Sequence, residues 1–133
     1  MHRPKNSPYG PSKAALEAMT LSWAQDLSGT GVTVNTLAPG GSVDTGFVLP
    51  AVREKINNKK ITKKFFDAEV IVPAAVWLAS SASEGITGCR YVGAKWNAEL
   101  PDKEAAEIAR ESAIFHRPTR DSILTKTWTK PGF

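Results

Sequence analysis

Cysteine is almost absent from the chain. Cys89 is the only one in 133 residues, so no internal disulfide can form, and a reducing, cytoplasmic setting is the simpler expectation. Its expected role is that of a small buried hydrophobe. Histidine is nearly as scarce: His2 and His116 have no Cys or His company at metal-ligand spacing, which argues against a metal site. Long apolar runs are missing as well. The longest, from Val70 to Ala79, has about ten residues and contains Pro73, against the roughly 20 a membrane span needs, so no membrane partner is expected. Residues Met1 to Asn6 lack the apolar core of a signal peptide. Glycine never forms a phosphate-binding turn: Gly29-Thr30-Gly31 follows a helical pattern and precedes a strand, the reverse of the required order.

What is present is ordinary for a globular protein, with 41% hydrophobic and 23% charged residues. The length allows one domain or part of one. A net charge of +4 does not by itself imply nucleic acid. The basic cluster Arg53, Lys55, Lys59, Lys60, Lys63 and Lys64 has few aromatics interleaved, so a solvated face is preferred to a nucleic-acid site.

One stretch organises the rest: Tyr9-Gly10-Pro11-Ser12-Lys13-Ala14-Ala15-Leu16 sets a phenol four residues before an ammonium, on one face of a helix. A free phenol ionises near pH 10, so a tyrosine that exchanges protons at neutral pH needs a stabilised phenolate. Two unit charges about 5 Å apart at an effective dielectric of about 20 interact by roughly 3 kcal/mol, and a helix N-terminus acts in the same direction. By itself the pair is weak, because two tyrosines and eleven lysines give a chance Tyr-x-x-x-Lys roughly 0.17 times in this length.

The pattern predicts a helix from Ser12 to Leu27, with Ala15, Leu16, Met19, Trp23 and Leu27 at helical spacing and Ser28-Gly29-Thr30-Gly31 as its stop. Trp23 reads as packing. A strand buried on both faces is expected over Val32–Leu37, and a second over Cys89–Val92. An apolar helix spans Pro73–Ser81, its surface of Ala75, Val76, Leu78 and Ala79 implying burial. A capped helix covers Pro101–Ile114, with Ala105, Ile108, Ala109 and Ser112 on one side.

Read in order, Tyr-Gly-x-Ser-Lys-Ala-Ala, then Val-x-Val-Asn-x-Leu-x-Pro-Gly, then Leu78-Ala79-Ser80-Ser81 and Ile86-Thr87-Gly88 resemble the C-terminal half of the short-chain dehydrogenase/reductase family. The resemblance implies an α/β fold, the incomplete C-terminal part of a doubly wound (Rossmann-like) parallel sheet, over residues 1–114, with a substrate lid at 46–69 and a C-terminal tail at 115–133. It implies an NAD(P)-dependent oxidoreductase acting on an alcohol/carbonyl pair. Tyr9 would be the general acid/base, and Lys13 would support it and hydrogen-bond the nicotinamide ribose. Pro39, Gly40, Val43 and Thr45 would meet the nicotinamide end of NAD or NADP, Gly40 by letting the backbone come close. Thr45 lies six residues after Pro39 where the family usually has five. Tyr91-Val92-Gly93-Ala94 replaces the usual Val-Asp-Gly-Gly. The Ser12–Leu27 helix would face a second subunit.

The family's Gly-rich turn, catalytic serine and upstream asparagine have no counterpart here. Two readings follow. The chain is a truncated oxidoreductase, inactive alone, its Met1 an internal methionine of a longer enzyme; or it is a non-catalytic fragment or assembly partner, as a homo-oligomer or paired with a full-length dehydrogenase. Two parallel strands with an open edge predict poor stability for the isolated chain.

Overall fold

The computed structural model describes residues 7–46, 48–58 and 65–111. The expected Lys59, Lys60, Lys63 and Lys64 cluster, the end of the last helix beyond Glu111, and the tail lie outside these residues.

Helix α1 runs Tyr9–Asp26, so it begins three residues before the expected Ser12. Pro8 caps it, accepting the Ser12 N–H at 3.0 Å, and Pro11 is tolerated because a first-turn N–H has no intrahelical partner to lose. Gly29 and Gly31, both at positive φ, end it. The buried face is a correction. Gly10, Glu17, Thr20 and Ala24 are buried, whereas Leu16, Met19 and Trp23 are 45%, 45% and 41% exposed. Small and hydrogen-bonding side chains let the helix come close to the sheet: Thr36 Oγ1 donates to Thr20 Oγ1 at 3.1 Å, and Ala24 packs beside Gly88. Trp23 is therefore not a core residue.

Strand β1 is Thr36–Ala38 and pairs in parallel with β2, Arg90–Val92, in the register Thr36–Arg90, Leu37–Tyr91, Ala38–Val92. The expected Val32–Leu37 strand is thus mostly not a ladder, nor is it buried on both faces: Val32 is 54% exposed. Side chains replace the ladder there. Asn35 donates from Nδ2 to Ile86 O at 2.7 Å and accepts the Cys89 N–H at 3.0 Å, while Val34 N–H bonds Thr87 Oγ1 at 2.9 Å. Cys89 is half-buried against the core.

Helix α2, Pro50–Asn57, falls within the expected lid, where the sequence reading had placed no element. Helix α3 spans Val72–Leu78, entered through a 3-10 turn at Ala68–Ile71 whose N-cap Asp67 accepts from Glu69 N–H at 3.0 Å. Only Ala74 and Trp77 of α3 are buried; Val76 is 64% exposed, so the burial expected from its mostly apolar surface is confined to one side. Helix α4, Asp102–Ala109, buries Ala105, Ala106 and Ala109 and leaves Ile108 outside. It stops at Arg110, where the chain turns extended and forms β3, Arg110–Glu111, antiparallel to β2. Among the described residues the sheet therefore has three strands in the order β1-β2-β3, with β2 central, where two were expected. This is an α/β fold with part of a doubly wound, Rossmann-like sheet. The core joins Trp77, Tyr91, Ala106 and Ala109, flanked by Leu37, Leu78, Ile86 and Trp96. The Trp77 ring centre stands 5.7 Å from Tyr91 and 6.1 Å from Trp96, tilted in both cases.

Arg90 ties three elements together. Its Nε donates to Glu17 Oε1 of α1 at 3.4 Å and lies 3.3 Å from Oε2, its Nη1 pairs with Glu111 of β3, and Lys95 Nζ meets the other Glu111 oxygen at 2.6 Å. The Lys95 hydrogen bond, aided by Arg90, holds the Glu111 carboxyl below the usual carboxylate range. Among the described residues no helix is long and apolar enough to cross a membrane.

Arg90→Ala should destabilise the chain by about 3 kcal/mol in urea unfolding, because it leaves the buried Glu17 carboxylate without a partner. Tyr91 gives a pH test. Burial, then the neighbouring Cys89, push its phenol up to about 12, against about 10 unfolded. A raised folded pKa means its contribution is intact below pH 10 and is lost as pH rises from about 10 to about 12. Unfolding curves across that range should show the loss, and Tyr91→Phe should remove this component of it.

Candidate active site

Tyr9 and Lys13 occupy successive turns at the start of α1, both exposed, with Lys13 Nζ 5.8 Å from the Tyr9 ring centre. The structure thus brings together the two residues that the sequence pairs. The Ser12 hydroxyl bonds back into the first turn, donating to Tyr9 O at 2.8 Å.

The contacts of α1 fix its direction against the sheet. Going back along the helix from Ala24 through Thr20 to Glu17, the partners advance from Gly88 to Thr36 and Arg90. The helix is therefore antiparallel to the parallel strands, and its first turns lie toward their C-terminal ends. The start of α1, with Tyr9 and Lys13, therefore lies on the side of the sheet where β1 ends and the Pro39–Gly40 turn begins. That edge, outside the carboxyl ends of the strands, is where open α/β sheets bind ligands.

The turn itself is clamped from two sides. Ala94 N–H bonds Pro39 O at 3.1 Å, fixing the turn to the end of β2. Ser42 O accepts from Phe66 N–H at 2.8 Å and Asp44 N–H donates to Phe66 O at 2.9 Å, forming a parallel bridge between Val43 and Phe66. In such a bridge Val43's own N–H and C=O point away from Phe66. Pro39 and Val43 are half-buried, Gly40 and Thr45 exposed. Glycine at 40 also has a reason within the fold. Its φ is +94°, and a Cβ there would stand 2.7 Å from Val92 Cγ1 and 2.9 Å from Ala94 Cβ, so Gly40 is required by the turn and by its own sheet. At Gly41 a Cβ would meet the Phe66 ring at 2.6 Å.

Sequence reasoning missed three contacts. Arg53 of α2 grips the Asp44 carboxylate with both terminal nitrogens, at 2.5 and 3.2 Å, so this member of the basic cluster is paired. The Phe66 bridge and the Glu17–Arg90 pair also escaped it. Only Glu17 had a signal, a charge one further turn along the Tyr9–Lys13 face.

The groups a nicotinamide end would meet are present at this edge: an exposed phenol and ammonium on the first turns of α1, and the Val43 N–H and C=O, which point away from Phe66. A pyrophosphate does not have its cradle among the described residues, since Gly29 and Gly31 end α1 and do not open a helix.

These features define an α/β protein with part of a doubly wound sheet and a Tyr-Lys helix at its carboxyl edge. Residues 1–93 match the family model described as enoyl-(acyl carrier protein) reductase, and the chain belongs to the short-chain dehydrogenase/reductase family. It is 35% identical over 83 residues to an NADPH-dependent aldehyde reductase of Arabidopsis thaliana, covering 60% of this chain and 30% of that protein. Glucose 1-dehydrogenase 2 of Bacillus subtilis is 31% identical over 65% of this chain and 34% of its own length. A 3-oxoacyl-(acyl-carrier-protein) reductase of Thermotoga maritima is 33% identical over 64% and 35%. The chain thus matches about a third of the length of each of these relatives.

Gly40→Ala should lower stability by about 1–3 kcal/mol through the strained φ and the Val92 and Ala94 contacts, measured by thermal unfolding.

Proposed function

We propose that this chain carries the proton-transfer and nicotinamide-facing part of an NAD(P)-dependent oxidoreductase acting on an alcohol/carbonyl pair. The observation that supports the proposal is the antiparallel setting of α1, which turns the helix start that carries Tyr9 and Lys13 toward the C-terminal ends of the strands. Names of the relatives, an aldehyde reductase and a glucose dehydrogenase among them, agree with that chemistry.

In this reading a bound nicotinamide supplies or accepts the hydride. The Tyr9 phenol gives its proton to the carbonyl oxygen in reduction and takes it from the hydroxyl in the reverse direction. Lys13 sets positive charge beside the phenol and hydrogen-bonds the ribose. Val43 and Thr45 present polar groups to the carboxamide, and Pro39 and Gly40 hold that turn on β2. The remaining dinucleotide contacts come from outside this segment, which forms the C-terminal part of the catalytic domain over 1–114, with its lid at 46–69 and a tail at 115–133.

A second reading, assembly without catalysis, has its own observation. Leu16, Met19 and Trp23 make an exposed apolar stripe on α1, suited to a second subunit or to a full-length relative.

Titration of the chain with NADH and NADPH, followed by quenching of its four tryptophans, tests the cofactor reading. Saturable quenching would mean that a cofactor site assembles without the Gly-rich turn; its absence in a folded sample would mean that this chain is a segment or partner that needs the rest of the domain. With the dinucleotide-binding half present, Tyr9→Phe should lower turnover by about 10²–10⁴-fold while leaving NADPH affinity unchanged. Retained turnover would remove Tyr9 from the chemistry.

A further inference from the structure

Four charged side chains meet on the face of the sheet that α1 covers. Thr36, Arg90 and Glu111 stand opposite one another across β1, β2 and β3 and so share a face, and Thr36 and Arg90 are the residues that meet Thr20 and Glu17 of α1. Lys95 joins them from the 3-10 turn Gly93–Lys95 after β2, next to Ala94, whose N–H holds Pro39 O. The cations are unequally shared. Glu111 has both, Lys95 Nζ at 2.6 Å and Arg90 Nη1. Among the described residues Glu17 has Arg90 alone.

The Glu17 contact is the loose one. Its oxygens lie 3.3 and 3.4 Å from Arg90 Nε, where a charge-assisted N–H···O bond measures about 2.7–2.9 Å. Glu17 Oε2 accepts no hydrogen bond among the described residues. Yet Glu17 is the more deeply buried carboxylate, its side chain 6% exposed against 34% for Glu111, and it has more to gain from a close cation.

Division of the guanidinium accounts for this. Arg90 serves Glu111 through Nη1 and so does not close its fork on Glu17. Lys95 limits the pull from that side, because a carboxylate neutralised by one cation draws less on a second.

We propose that Glu111 and Lys95 are positioning residues for the helix that carries Tyr9: Glu111 draws Arg90 from Glu17, Lys95 offsets that draw, and the balance sets how closely α1 is held to the sheet. The docking of β3 and the anchoring of α1 are thereby coupled through one guanidinium, and the coupling is reciprocal. As a statement about proton transfer by Tyr9 it rests on the oxidoreductase reading; as a coupling within the fold it stands without it.

Amide hydrogen exchange of the 133-residue chain tests this, read as the rates of Lys13 to Thr20 in α1 relative to those of α3, a ratio from which changes in global stability cancel. Glu111→Gln leaves Arg90 to Glu17 and should slow the α1 amides at least about threefold on this scale, while those of β3 exchange faster. Lys95→Met leaves Glu111 dependent on Arg90 and should speed the α1 amides by a similar factor. Made on top of Glu111→Gln, Lys95→Met should have no further effect. Both side chains are a third or more exposed, so these variants should keep the fold. A merely structural role would move the ratio in one direction for both variants, or not at all. Either result overturns the proposal, as does an equal effect of Lys95→Met with and without the Glu111 carboxylate. With the dinucleotide-binding half present, Tyr9→Phe separates the two readings. The predicted exchange pattern with turnover retained in Tyr9→Phe would keep the coupling and discard the oxidoreductase reading. Turnover lost in Tyr9→Phe, with the exchange ratio unmoved by Glu111→Gln and Lys95→Met, would do the reverse.

Discussion

The guanidinium of Arg90 lies where three elements meet, and the arrangement of the molecule depends on it. From the central strand it reaches Glu17 on α1 and Glu111 on β3. Burial makes both ends of the arrangement demanding: Glu17 is 5% exposed and cannot be hydrated in place, so the helix is held where Arg90 can reach it. A greasy contact would tolerate sliding along the helix. A buried carboxylate with one cation in reach does not, and this fixes the register of α1 against the sheet.

That register decides the functional edge. Two turns of helix separate Glu17 from Tyr9, so anchoring Glu17 sets the height of Tyr9 along the sheet. The turn is held just as firmly. Pro39 is bonded to Ala94 beyond β2, and Ser42 and Asp44 are bonded to Phe66. Tyr9 and Lys13 thus project from a rigid helix, and Val43 and Thr45 from a turn with both sides attached. Such preorganisation is what the proton transfer proposed for Tyr9 would need.

Helix α1 has a divided surface. Its sheet side is built of Gly10, Glu17, Thr20 and Ala24, and its outer side carries Leu16, Met19 and Trp23. The division is the opposite of what an amphipathic pattern suggests, because close approach to a strand favours small residues while the larger apolar ones are left outside.

The sequence by itself determined the family, the helix that carries Tyr9 and Lys13, the parallel pairing of the segments near Leu37 and Tyr91, and the turn at Pro39–Gly40. These were legible because they depend on local chemistry: helical spacing, β-branched runs and a Pro-Gly break. Only the tertiary structure decided which face of α1 is buried, that the chain after Ala109 becomes a third strand, why residue 40 is glycine, and that Arg53 is bound to Asp44. Each of these depends on partners far apart in sequence, such as Arg90 with Glu17 or Gly40 with Val92, and side-chain spacing along one segment holds no record of what another segment brings to meet it.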